Sequence, residues 1–203
     1  MTLIRSHFGR RRPFPVARAA FLSGAALCVM AITACQDPFA PTADQVNESQ
    51  SFTIYAISGT PVTAPAGLSL SGRTIVRVDG SFGFDLAFDI NAQGQPVVLP
   101  VNMVGTAITG SHAVGLKRVS GTFVNVTEAP RDGYVFDSTQ VMSLGAVLAV
   151  QSQSSICSFS FTPYVFAKVT IDSVNPTTRA LYGRTLINLN CGFRQLTTGI
   201  PTF

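Results

Sequence analysis

Phe82-Gly83-Phe84-Asp85-Leu86-Ala87-Phe88-Asp89-Ile90 is the stretch whose reading decides the fold. Phe82, Phe84, Leu86, Phe88 and Ile90 alternate with Gly83, Asp85, Ala87 and Asp89, a period of two that marks a strand with one face in a core. The other face is expected to be wet or to line a site. Asn91-Ala92-Gln93-Gly94 then supplies a turn, and residues 97–103 return as the partner strand. Pro96 and Pro100 confine that partner to a sheet edge or to bulged positions, because proline has no N–H to give to a ladder.

Outward from this stretch the chain reads as strand after strand, rich in β-branched and aromatic residues and punctuated by Gly, Pro and Asn. Phe52, Ile54 and Ala56 alternate with Thr53, Tyr55 and Ile57 before a break at Gly59-Thr60-Pro61. Further strands are expected over residues 73–78, 104–109, 113–118, 121–126, 133–137 and 145–151. A second hairpin joins 165–174 to 179–188 through Asn175-Pro176-Thr177-Thr178, where Pro presets φ and Asn accepts a local hydrogen bond. No stretch carries a helical stripe, and no long loop offers a lid. Around eight to eleven short strands over residues 52–203 predict a single all-β domain, an antiparallel β-sandwich, with a closed or partly open β-barrel as the alternative. The chain has no tryptophan, so the Gly-x-Trp signature of lipocalin barrels is absent.

The N-terminus has a different character. Arg5, Arg10, Arg11, Arg12 and Arg18 precede an apolar run over residues 19–34, which closes on Ile32-Thr33-Ala34-Cys35 and gives way at once to Gln36-Asp37-Pro38. Basic then apolar is the order of a secretory leader, and the run is too short to span a hydrocarbon layer of about 30 Å. The tetrapeptide resembles the lipobox of bacterial lipoproteins. The resemblance, which covers the leader and the cysteine alone, implies that residues 1–34 are cleaved and that Cys35 becomes a diacylglycerol-modified N-terminus. Leu27 is too large to precede an acceptor at Cys28. Gln36 stands where aspartate would signal inner-membrane retention, so the resemblance implies an outer-membrane destination of Gram-negative type. Arg11-Arg12-Pro13-Phe14 resembles a twin-arginine export signal, with Pro15 departing from that pattern. Residues 35–51, with Pro38 and Pro41 and no periodicity, are expected to form the lipidated cysteine and a flexible tether.

Loss of the leader removes five of the fourteen basic residues and none of the ten acidic ones, leaving nine against ten. A near-neutral mature chain gives no electrostatic reason to bind nucleic acid. Two thiols then remain, Cys157 before the second hairpin and Cys191 after it, which antiparallel pairing returns to the same end. In an oxidising envelope they are expected to form a disulfide.

Candidates for chemistry are few. His112 is the one histidine of the mature chain, and no Gly-x-Ser-x-Gly elbow accompanies it; Gly67-Leu68-Ser69-Leu70-Ser71-Gly72 only approximates one. Asp89-Ile90-Asn91-Ala92-Gln93-Gly94 imitates the start of a calcium loop but reaches Pro100 where the closing Glu belongs. Asp85 and Asp89 stand roughly 13 Å apart along one strand, too far to share a metal unaided. No cofactor, metal site or catalytic residue is therefore expected. The expected function is that of a non-catalytic, lipid-anchored envelope domain, protein-binding or structural, held to the membrane through its lipid and meeting an envelope protein partner. A carrier of small apolar ligands is the second reading, and an envelope hydrolase using His112 the third.

Overall fold

Alternation of apolar and polar residues becomes strand wherever a partner is available, and ten strands are found among the described residues. They are β1 (Glu48–Tyr55), β2 (Pro65–Ser69), β3 (Thr74–Arg77), β4 (Leu86–Ile90), β5 (Pro96–Pro100), β6 (Val114–Val119), β7 (Gln140–Val141), β8 (Val147–Gln153), β9 (Tyr164–Asn175) and β10 (Ala180–Asn188). The computed structural model describes residues 41–105, 112–160 and 162–202; the leader and Cys35 lie outside them, as do residues 106–109 of the strand expected from 104. The strands form two antiparallel sheets, β1-β10-β9-β8-β6 and β3-β2-β4-β5-β7, packed as an open sandwich and not closed into a barrel. Ile54, Leu86, Phe88, Leu116, Leu148, Val150, Val169, Ile171 and Leu181 fill the space between the sheets.

The alternation that predicted β4 holds from Leu86 onward and fails before it. Phe82 is 41% exposed, with the guanidinium of Arg77 4.9 Å from its ring centroid. The opposite face is not wet either, since Asp85 and Ala87 are both buried. Ala87 pairs with Gly67, and a side chain at Gly67 would meet Val78 and Phe84 at 3.1–3.2 Å. The segment between β3 and β4 thus folds back over this face and covers it. β5 is not an edge strand, because it lies between β4 and the two-residue β7. Its prolines are tolerated because they are its first and last residues, while β7 pairs only with Val97 and Val98.

Residues 121–126 and 133–137 are not ladder strands. The connection from β6 to β7 crosses the outer face of the first sheet, where Phe123, Val126 and Ala129 join Val147, Phe166, Leu186 and Leu196 in a second, smaller core. Phe123, Val126 and Ala129 answer to burial in this core, and the connection makes two isolated bridges, Val135 to Leu116 and Glu128 to Gln195. Lys168 of β9 is buried beneath this flap, donating to the carbonyls of Phe123 (2.6 Å) and Val126 (2.7 Å), with its Nζ 4.6 Å from the Phe123 ring centroid. Burial lowers its pKa from 10.5 to about 8. Between those values the unfolded chain holds a proton that the native chain has released, so stability from this group rises as pH increases from about 8 to 10.5. Denaturant unfolding at pH 8 and pH 10 should show that rise in the native sequence and a reduced rise in Lys168→Met.

The hairpin β9–β10 forms as expected. Asn175 Oδ1 accepts the amides of Thr177 and Thr178 at 3.0 and 3.1 Å, and the ladder shifts register between Tyr182 and Gly183. At Gly183 a Cβ would lie 2.2 Å from the Thr170 carbonyl oxygen, so the close approach of β10 to β9 admits only glycine. Cys157 and Cys191 are joined in a disulfide with Cα atoms 5.6 Å apart, tying the β8–β9 connection to the end of β10. Closing a loop of this length contributes about 3–4 kcal/mol in the chain-entropy account. Reduction of the folded, leaderless protein should lower its melting temperature by roughly 10 °C, and free thiols in denatured, unreduced material would overturn the pairing.

The stretch expected to be a tether enters the fold earlier than Phe52. Asn190 Oδ1 accepts the amides of Asp44 and Gln45, both at 2.9 Å, and its Nδ2 donates to the Gln45 carbonyl at 2.8 Å. Asn47 is fully buried and pairs with Gly199, and β1 begins at Glu48. Glu48-Ser49-Gln50-Ser51 has little intrinsic strand preference and is extended because β10 holds it.

Candidate functional site

Asp85 is the centre of the most chemically organised cluster among the described residues. Its Oδ1 accepts from His112 Nε2 at 2.7 Å and from the Ser152 hydroxyl, and its Oδ2 accepts the Leu70 amide at 2.6 Å. The carboxylate thereby ties together the end of β2, the approach to β4, the residue that leads into β6, and β8. The His112 side chain is 28% exposed and the Asp85 side chain 7%, so a buried carboxylate holds a partly open imidazole. They face an open cleft of about 780 Å³, also lined by Ser71, Ser154, Ser155, Ser158 and the disulfide residue Cys157.

Three separate places in the chain therefore supply a serine, a histidine and an aspartate in contact, but not in the order of a catalytic triad. A catalytic triad places imidazole between carboxylate and hydroxyl, so that the base can take the nucleophile's proton. Here the carboxylate lies between the other two, and the hydroxyl of Ser152, fully buried on β8, donates a hydrogen bond to Asp85. The arrangement fixes backbone and imidazole; it does not activate Ser152.

Asp89 is engaged elsewhere. It accepts from the Ser58 hydroxyl at 2.6 Å and from Arg179 Nη2 at 3.1 Å, which pins the β1–β2 connection to the β9–β10 turn. Asn91 Oδ1 accepts the Gln93 and Gln95 amides, the bonding of a tight turn. Among the described residues no group of three or more His, Cys, Asp or Glu side chains gathers around one point.

A second candidate is the outer edge of β1. Ala56 donates to the Arg179 carbonyl at 2.9 Å, so Ile54, Phe52, Gln50 and Glu48 turn their backbone groups toward β10. Asn47, of the opposite parity, exchanges both backbone bonds with Gly199 on the far side. Ser49, Ser51, Thr53 and Tyr55 consequently direct their N–H and C=O groups away from the sheet, and no described residue pairs with them. The side chains of Ser49, Ser51 and Thr53 are exposed. No lysine, proline or bulge guards this edge, the devices by which exposed edges are usually blunted.

Comparison of the chain with known protein families, curated proteins and solved structures finds no match. Function is therefore read from these two places in the fold. Sequence reading singled out His112 without its partners and placed Asp85 on an open face. The β1 edge lay half inside the expected tether. Neither carried a local signal: an aspartate between Phe84 and Leu86 reads the same whether water or Ser152, 67 positions away, meets it.

Proposed function

We propose that this chain is a lipid-anchored, non-catalytic module of a bacterial cell envelope that holds a protein partner by strand addition at β1. The observation that carries this reading is the row of outward N–H and C=O groups on Ser49, Ser51, Thr53 and Tyr55, a ready template for an extended segment of another chain. The lipobox-like Ile32-Thr33-Ala34-Cys35 supports the anchor, placing acylation shortly before β1. A carrier of apolar ligands finds less support, since the space between the sheets is filled by side chains that are almost fully buried. The carboxylate-centred order of Ser152, Asp85 and His112 supports a structural role for that cluster.

Intact-mass analysis of membrane-extracted protein should find an acylated Cys35 as the N-terminus; an unmodified Cys35 or another start would overturn the anchor. A photoreactive residue introduced at Thr53 and irradiated in living cells should give a crosslinked polypeptide adduct, whereas the same residue at exposed Val62 should not. No adduct from position 53 would remove the binding reading. Hydrolase screens should be blank, and a neutral-pH activity lost in His112→Ala would replace the module by an enzyme.

A further inference from the structure

Resting on the strand-addition reading, we infer that the partner of the β1 edge is the β1 edge of a second copy of this chain, the two sheets joining into one continuous antiparallel sheet about a two-fold axis at Phe52. Parity fixes the register. Only odd-numbered residues of β1 offer backbone groups outward, so an antiparallel copy must set odd against odd. The register that pairs Ser49 with Tyr55 of the second copy and Ser51 with its Thr53 uses every outward N–H and C=O between Ser49 and Tyr55 at once. A slip of two residues in either direction strands groups at both ends. At the Asn47 end the edge is already taken by Gly199, which limits the pairing to this same span.

The side chains agree with that register. Across the seam the exposed Ser49 would lie beside the partly buried Tyr55 of the other copy, and Ser51 beside Thr53, so small hydroxyl side chains and one ring meet without bulk. Glu48, the only charged residue of β1, would face Ala56 and not a second carboxylate. An edge-to-edge contact without a large apolar patch is weak in dilute solution, because association costs translational and rotational freedom. Anchoring both copies to one membrane raises their effective concentration, and the chain between Cys35 and Asp44, where the fold begins, can extend at most roughly 30 Å, which lets both reach the same surface.

The full-length chain, expressed with its leader, should carry Ser49→Cys together with Tyr55→Cys. Within one chain these positions are about 20 Å apart along the strand and cannot bridge, whereas across the seam their Cα atoms would be about 5.5 Å apart. Mild oxidation of intact cells should give a reducible species of twice the chain mass, and Ser49→Cys with Thr53→Cys, which is out of register, should give several-fold less. Ser51→Lys with Thr53→Lys sets like charges opposite each other twice and should abolish photocrosslinked dimers formed from Gln50. Ser51→Glu with Thr53→Lys sets opposite charges there and should retain them. Ser49, Ser51 and Thr53 are exposed and Tyr55 is partly buried, and circular dichroism of each variant checks that the fold is kept. Absence of the disulfide dimer while a photoreactive residue at Thr53 still captures a different polypeptide would overturn self-pairing and leave strand addition standing. Absence of both would overturn both.

Discussion

Phe88→Asp should leave no folded domain. Phe88 is fully buried at the centre of the sandwich, paired with Val98 on the neighbouring strand and with its ring 5.8 Å from that of Phe52 on the opposite sheet. Removing a buried phenylalanine side chain costs about 3–5 kcal/mol, and an unpaired carboxylate in its place adds several kcal/mol of desolvation. Together these match the whole stability of an ordinary domain, about 5–15 kcal/mol. The measurement is the amide proton spectrum of the leaderless protein with its disulfide intact: the dispersed pattern of a β fold should collapse. Phe88→Leu, which keeps an apolar side chain, should retain the dispersion with a reduced melting temperature. A folded Phe88→Asp would mean that β4 turns its other face inward.

Asp85→Ala should be strongly destabilising. The carboxylate satisfies the Leu70 amide, the Ser152 hydroxyl and the His112 ring, and both Leu70 and Ser152 are buried. Each orphaned buried donor costs about 1–3 kcal/mol, so a loss of roughly 3–5 kcal/mol is expected. Asp85→Asn is not a mild change either. Its amide oxygen can keep the Leu70 N–H, but its NH2 then replaces the oxygen shared by Ser152 and His112, so both must turn from donating to a carboxylate to accepting from a neutral amide, at a cost of about 2 kcal/mol. Period-two patterning alone predicts that Asp85→Asn is nearly neutral, so urea unfolding of this one variant decides between the pattern and the tertiary contacts. A change below about 0.5 kcal/mol would mean that the cluster is not formed.

Both results bear on function. If Asp85 holds β2, β4, β8 and the lead into β6 in place, loss of stability in Asp85→Ala and His112→Ala should track together, with no separate loss of partner capture at the β1 edge. Damage confined to the cleft and damage confined to the edge are then separable, which a single shared site would not allow.

The sequence by itself determined the class of the fold, because strand periodicity and turn chemistry are local: Leu86 to Ile90 alternate, Asn91-Ala92-Gln93-Gly94 turns, and the hairpin β9–β10 closes on Asn175. It also placed Cys157 and Cys191 together, since a hairpin returns its two ends to one point. Where two layers or distant segments meet, the sequence was silent or misleading. In residues 121–126 only Phe123 and Val126 are buried, against the outer face of the first sheet, while Val124 is exposed, so the strand-like composition forms no ladder. Glu48-Ser49-Gln50-Ser51 has the composition of a tether and becomes a strand because β10 supplies its hydrogen bonds. Asp85 sits where alternation expects water and is instead enclosed by His112 and Ser152, 27 and 67 positions away. Pleat and turn are properties of neighbouring residues, whereas burial of a polar group and freedom of a sheet edge depend on what the rest of the chain brings alongside. Only the tertiary structure decides those.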